Sequence, residues 1–188
     1  MSQKLAKYFC VERIASMYLE KAKDRQKDLF RVGYRRPVPC SLQEVEELEQ
    51  WVGHRLPEAY REFLSWMGHS GGGVLAGTDC FYRDMKRIQA GAKELLEENQ
   101  YSGELPRDAF VFCMHQGYQF IFFHLEDGDD PPVYYYVEEN PPRTFFEQIY
   151  QRFSIFVLTE VEGHIAVKER MNATMAQREQ WKKRPKKT

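Results

Sequence analysis

FVFCMHQGYQFIFFHLEDGDDPPVYYYVEEN, residues Phe110 to Asn140, is the stretch on which the fold turns. Ala109–Met114 is a short apolar run, Gln116 and Gly117 read as a tight turn, and Tyr118–Leu125 is a second run with apolar residues on both faces. That pattern predicts a hairpin at the middle of a sheet covered on both sides. EDGDDPP then supplies a polar loop with a glycine and two prolines. Val133–Val137 follows as a third strand with tyrosines on alternate faces. Phe110, Phe112, Phe120, Phe122 and Val133 are bulky alternate positions whose burial supplies the core. The acidic loop and the tyrosines are left for the surface.

Upstream of the hairpin the periodicity is helical. Leu5, Tyr8, Val11, Ala15, Tyr18 and Ala22 recur at three- and four-residue steps and predict a helix over residues 3–28. Gly33–Cys40, with two prolines, is a connection, and Ser41–Glu44 has the form of a capping box opening a new helix. Leu42, Val45, Leu48 and Val52 line its inward face, and Gly53 ends it. Pro57 suits the first position of the next helix, whose stripe is Tyr60, Phe63, Leu64 and Met67. Gly68 closes that helix before His69-Ser70-Gly71-Gly72-Gly73, read as a tight helix-to-strand turn. Phe81, Met85, Ile88, Ala92 and Leu95 mark one more helix. Downstream of the third strand, Thr144 and Glu147 form another capping-box pattern and predict a helix with Phe146, Ile149, Tyr150 and Phe153 inward. SIFVLTEV carries strand-type residues at helical spacing, and Ala166–Trp181 reads as a polar helical extension.

A chain of 188 residues with 43% apolar and 14% aromatic residues has material for one full core. The fold class expected is α+β, a single domain with a central, mostly antiparallel sheet packed by helices. Residues 1–40 are its N-terminal helix and connection, 41–156 its core, and 157–188 a helical extension and basic tail. Net charge is −1, but the final KKRPKKT carries five positive charges, so the rest of the chain stands at −1 minus 5, or −6. An acidic body argues against direct nucleic-acid binding and favours encounter with a basic partner. No apolar run approaches the roughly 20 residues that span a bilayer, so a cytoplasmic protein without membrane contact is expected. Cys10, Cys40, Cys80 and Cys113 form no C-x-x-C or C-x-x-H spacing and read as reduced thiols, with no metal or cofactor indicated.

Three segments carry a resemblance: LPEAYREFLSWMGHSGGG, AFVFCMHQGYQFIFFHL, and DPPVYYYVEE followed by TFFEQI. In this order, over about Ser41 to Phe156, the chain resembles the SUKH superfamily. That group includes the Smi and Knr type fungal cell-wall-assembly regulators and many bacterial immunity proteins. The resemblance implies a protein-binding scaffold rather than a catalyst. Its most direct reading is an immunity protein that neutralises a cognate, basic toxin, with nucleases and other enzymes that act on nucleic acid among the candidate toxins; a regulatory adaptor binding a host protein is the alternative. The residues expected to meet such a partner are Gln116, Tyr118, Glu126, Asp127, Asp129, Asp130, Tyr134, Tyr136, Glu138 and Glu139, because carboxylates imitate phosphate and aromatic anchors supply interface energy.

The competing enzymatic reading is a Cys-His hydrolase. Cys113 and His115, two apart on a strand, point to one face. No orienting acid or oxyanion feature accompanies them. The glycine loop does not match a phosphate-binding pattern.

Overall fold

The helices before the hairpin form where their apolar spacing places them. The computed structural model describes residues 18–139 and 143–182. Within it, α1 (Glu20–Arg31) is the described part of the helix predicted over 3–28 and runs three residues further; positions 3–17 lie outside the described residues. It buries Ala22, Gln26 and Leu29. α2 (Leu42–Val52) opens with the predicted capping box: the Ser41 hydroxyl accepts from Glu44 N, and the Glu44 carboxylate accepts from Ser41 N. Gly53 ends it in the left-handed region. Val45 and Leu48 are buried, whereas Leu42, expected to face inward, is 63% exposed, because it stands in the first turn, before the helix reaches the core. α3 (Glu58–Met67) starts one residue after Pro57, which is its N-cap rather than its first residue.

The glycine segment makes the predicted turn into a short strand, β1 (Gly72–Leu75). Gly72 is obligatory there. Its φ is +68°, and a Cβ would overlap the Arg35 carbonyl carbon and oxygen. A 3-10 turn, Tyr82–Asp84, then leads into α4 (Met85–Glu98), which buries Met85, Ile88, Ala92, Leu95 and Leu96.

Four antiparallel strands follow in the order β2 (Ala109–His115), β3 (Gln119–His124), β4 (Val133–Val137) and β5 (Glu147–Tyr150). The first three are the predicted strands. β5 corrects the expected helix. The Thr144/Glu147 pattern launches no helix, and Glu147–Tyr150 instead pairs with β4, setting Glu147 opposite Tyr135 and Gln148 opposite Tyr134. A capping box gains about 1 kcal/mol, less than leaving a row of β4 backbone groups without partners. The helix begins later, at Phe153, and α5 runs unbroken to Lys182. It runs without a break across the expected boundary between residues 156 and 157.

On one face of the sheet, α3 and the start of α5 press an aromatic cluster against β2 and β3. The Tyr60 ring lies 5.4 Å from Phe110, 5.3 Å from Phe123 and 5.5 Å from Phe153. The other face carries Phe120, Phe122 and Tyr136 beneath Phe146, with Tyr101 at its edge. α4 packs on β2, and the Gln89 side-chain amide both donates to and accepts from the Val111 backbone, so this side chain stands in for a missing strand partner. α1 lies along α5. Beyond Ile165 α5 leaves the core and becomes exposed. Among the described residues no helix is long and apolar enough to cross a membrane.

His164 joins α5 to β1. Its Nε2 accepts from Leu75 N–H at 3.3 Å, which leaves Nδ1 protonated and 3.1 Å from the Tyr34 hydroxyl. Burial lowers its pKa, so a proton binds the unfolded histidine, at about 6.5, more readily than the folded one. The contribution is therefore complete above that pH and is lost as pH falls below it. Glu160, whose carboxyl burial pushes up, works in the opposite sense. Urea midpoints should fall between pH 7 and pH 5 more steeply in the wild type than in His164→Gln; identical slopes would overturn this assignment.

Candidate functional site

The hairpin turn and the acidic loop lie at opposite ends of β3, separated by about 17 Å given the rise of a strand. The ten residues expected to form one surface are thereby split in two. Gln116, Tyr118, Glu138 and Glu139 gather at the turn, while Glu126, Asp127, Asp129 and Asp130 gather at the loop.

At the turn end, Gln116 and Gly117 both have positive φ, and Tyr118 N donates to the His115 carbonyl, which is the two-residue geometry that matches strand twist. Tyr118 is exposed, and its carbonyl accepts from Glu138 N at 2.8 Å. Beside them is a feature the sequence reading missed. The Arg143 guanidinium donates to Glu139 at 2.8 Å and to Glu147 at 2.7 Å while lying 5.7 Å from the centroids of both Tyr135 and Phe145. These contacts hold its pKa above the ordinary arginine value. Phe145 is 58% exposed. The spacing Glu139, Arg143, Glu147 was the available signal. Only Glu147 falls in the helix expected from Thr144 onward, and here the pairs bridge a loop and an edge strand.

Tyr136 is corrected. It is fully buried, 5.4 Å from Phe120 in a stacked arrangement, and belongs to the core rather than to a contact surface. Tyr134 shares that face, stacks on Phe122, and is half-buried.

At the loop end, two of the four carboxylate residues have internal work. Asp130 accepts from Ser154 N at 2.8 Å and Ser154 Oγ at 2.6 Å, capping α5 from 24 residues away. Its side chain is thus a structural cap, not an open contact. The Asp129 carbonyl accepts from Ala59 N at the start of α3. A third helix begins nearby: the Glu62 carboxylate, 5% exposed, accepts from Tyr18 N, Leu19 N and Lys23 Nζ ahead of and within the first turn of α1. Three helix N-termini therefore converge on one corner, where their partial positive charge favours carboxylates. Burial raises the pKa of Tyr18, and Asp129, Asp130, Glu58 and Glu62 around it raise it further. Glu126, Asp127 and Asp129 keep exposed side chains that make no ion pair among the described residues.

The Cys-His pair is not assembled. Cys113 is 3% exposed and lies against Cys80, no hydrogen bond joins it to His115 among the described residues, and the His115 ring packs on Tyr118. The Cys113 thiol and burial push the Cys80 thiol far above the usual range. Cys40, Cys80 and Cys113 are all free and buried; Cys10 lies outside the described residues.

The elements that build both ends, from the capped α2 through the hairpin to the start of α5, coincide with the span of one family model, the SMI1 / KNR4 family (SUKH-1), which matches residues 39–159. A search among curated proteins gave no match. The family match covers more than half of the chain and agrees with the α+β architecture seen here, so this protein belongs to the SMI1 / KNR4 family (SUKH-1).

Proposed function

We propose that this chain is a non-catalytic protein-binding scaffold that neutralises a cognate basic toxin, acting as an immunity protein, with the acidic loop as its principal contact. The observation that carries this reading is the way the loop is held. Its backbone and Asp130 are fastened to the starts of α3 and α5, while Glu126, Asp127 and Asp129 are presented outward. A preorganised acidic surface loses little entropy on binding and speeds encounter with a cation-rich partner, a nuclease being one such class. A regulatory adaptor is the second reading. It is favoured by the patch at the turn end, where Tyr118, Phe145 and Arg143 are the residue types that anchor protein interfaces without requiring a basic partner.

Both readings meet one experiment. Cells producing the toxin encoded beside this gene should survive when the chain is co-expressed. The triple variant Glu126→Lys, Asp127→Lys, Asp129→Lys should fail to protect them. Purified, that variant should melt close to the wild type, since exposed loop changes cost within about 0.5 kcal/mol each. Its association rate should fall about tenfold or more, and the salt dependence should flatten. Full protection by the triple variant would move the interface to the turn end; no protection by the wild type would sink the immunity reading.

A further inference from the structure

Away from both ends of the hairpin, three metal-ligating side chains meet from three parts of the chain: Cys40 in the connection before α2, Glu44 in the first turn of α2, and His69 just beyond α3. One donor atom from each lies within 4.8 Å of the other two. We propose that Cys40, Glu44 and His69 form a Zn2+ site with a fourth coordination position left to water.

The donor set selects the metal. Thiolate, imidazole and carboxylate together suit zinc, whereas calcium and magnesium take oxygen ligands. With Zn–S near 2.3 Å and Zn–N or Zn–O near 2.0 Å, tetrahedral ligand atoms stand about 3.3–3.6 Å apart, so the trio needs only a contraction of about 1 Å. His69 Nε2, hydrogen-bonded 2.9 Å from Glu44 Oε1, has to open by about 0.4 Å, and its ring is exposed enough to turn. The sulfur is held in place: Cys40 N donates to the Leu64 carbonyl at 2.9 Å, and Sγ lies so close over Gly68 that a Cβ there would clash with it.

Glu44 is oriented as metal ligands usually are, by hydrogen bonds to the oxygen that does not face the metal. Its Oε2 accepts from Ser41 N at 2.8 Å and Ser41 Oγ at 2.9 Å, which leaves Oε1 toward His69. Helix capping and the His69 contact account for Glu44 and His69 without any metal. Cys40 packs at the edge of the hydrophobic core, and its thiol forms no hydrogen bond among the described residues that a metal would have to displace. A zinc ion gives all three one role, clamping the connection, the start of α2 and the entry to the glycine turn.

The test is titration of the reduced, untagged full chain with Co2+, followed by displacement with Zn2+. One metal per chain should bind, with a thiolate-to-cobalt charge-transfer band and the visible bands of tetrahedral cobalt. Cys40→Ser should remove the charge-transfer band and Cys10→Ser should leave it. Glu44→Gln, which preserves the capping box, and His69→Gln should each weaken binding at least about tenfold. At free Zn2+ about 100-fold above Kd, the melting temperature should rise by about 5–10 °C. That rise should be lost in His69→Gln while its metal-free melting stays that of the wild type. Absence of the charge-transfer band, or its survival in Cys40→Ser, overturns the proposal. Cys40 is buried and its serine variant can misfold, so the other two variants decide independently: unchanged affinity in both Glu44→Gln and His69→Gln also overturns it.

Discussion

Phe153→Ala should lower stability by about 3–5 kcal/mol, the loss typical of a fully buried phenylalanine. The ring stands at the first residue of α5 and meets Tyr60 at 5.5 Å, Phe63 at 5.8 Å, Phe112 at 5.1 Å, Phe123 at 5.9 Å and Phe156 at 6.0 Å. It thus joins α3, two sheet strands and the next turn of its own helix. Edge-to-face pairs add to the area buried, and the cavity left behind is walled by other rings that cannot all close inward. A domain of this size with a total stability of roughly 5–15 kcal/mol would lose a large part of it, and the melting temperature should drop by about 10 °C or more. Phe145→Ala is the matching control. That ring is largely exposed, so its removal should leave the urea midpoint almost unchanged. A Phe153→Ala loss below about 1 kcal/mol would show that α5 is not seated on the sheet.

Glu62→Ala should cost about 2–3 kcal/mol and act on one element in particular. The carboxylate is the acceptor for Tyr18 N, Leu19 N and Lys23 Nζ, at 3.0, 3.2 and 2.7 Å, so its removal leaves two backbone donors without their partner. Lys23 suffers less. Its side chain is 31% exposed and can reach water. Loss of helix propensity cannot explain the effect, because alanine is the best helix former and position 62 is inside α3. Hydrogen exchange separates this mechanism from general destabilisation. Amides of α1 should exchange faster than those of β2 and β3 after correction for global stability. Uniform acceleration across the chain would show that Glu62 supports the core as a whole rather than the start of α1.

The sequence alone determined the elements whose signals are local. Ser41 and Glu44 define the start of α2 because both partners of the capping box lie within one turn. The Gln116-Gly117 turn and the flanking apolar runs define β2 and β3, because a two-residue loop sets the pairing beside the turn, His115 opposite Gln119, although the register shifts further along, between Val111 and Cys113. The inward positions Phe110, Phe112, Phe120, Phe122 and Val133 followed from alternation and size, and all are buried. Even the acidic character of the EDGDD loop was plain in the sequence. Tertiary structure alone decided what each of its carboxylates does. Asp130 serves Ser154, 24 positions away, while Glu126, Asp127 and Asp129 are left outward, because only the packed fold brings the start of α5 beside this loop. The same reason governs Tyr136, whose neighbours Tyr101 and Phe146 arrive from other elements, and β5, where the unpaired edge of β4 overrode a local helix signal. Capping and turn energies are local and can be read along the chain. Which polar group is consumed inside and which is left facing solvent depends on pairings between distant residues, and those exist only once the chain has packed.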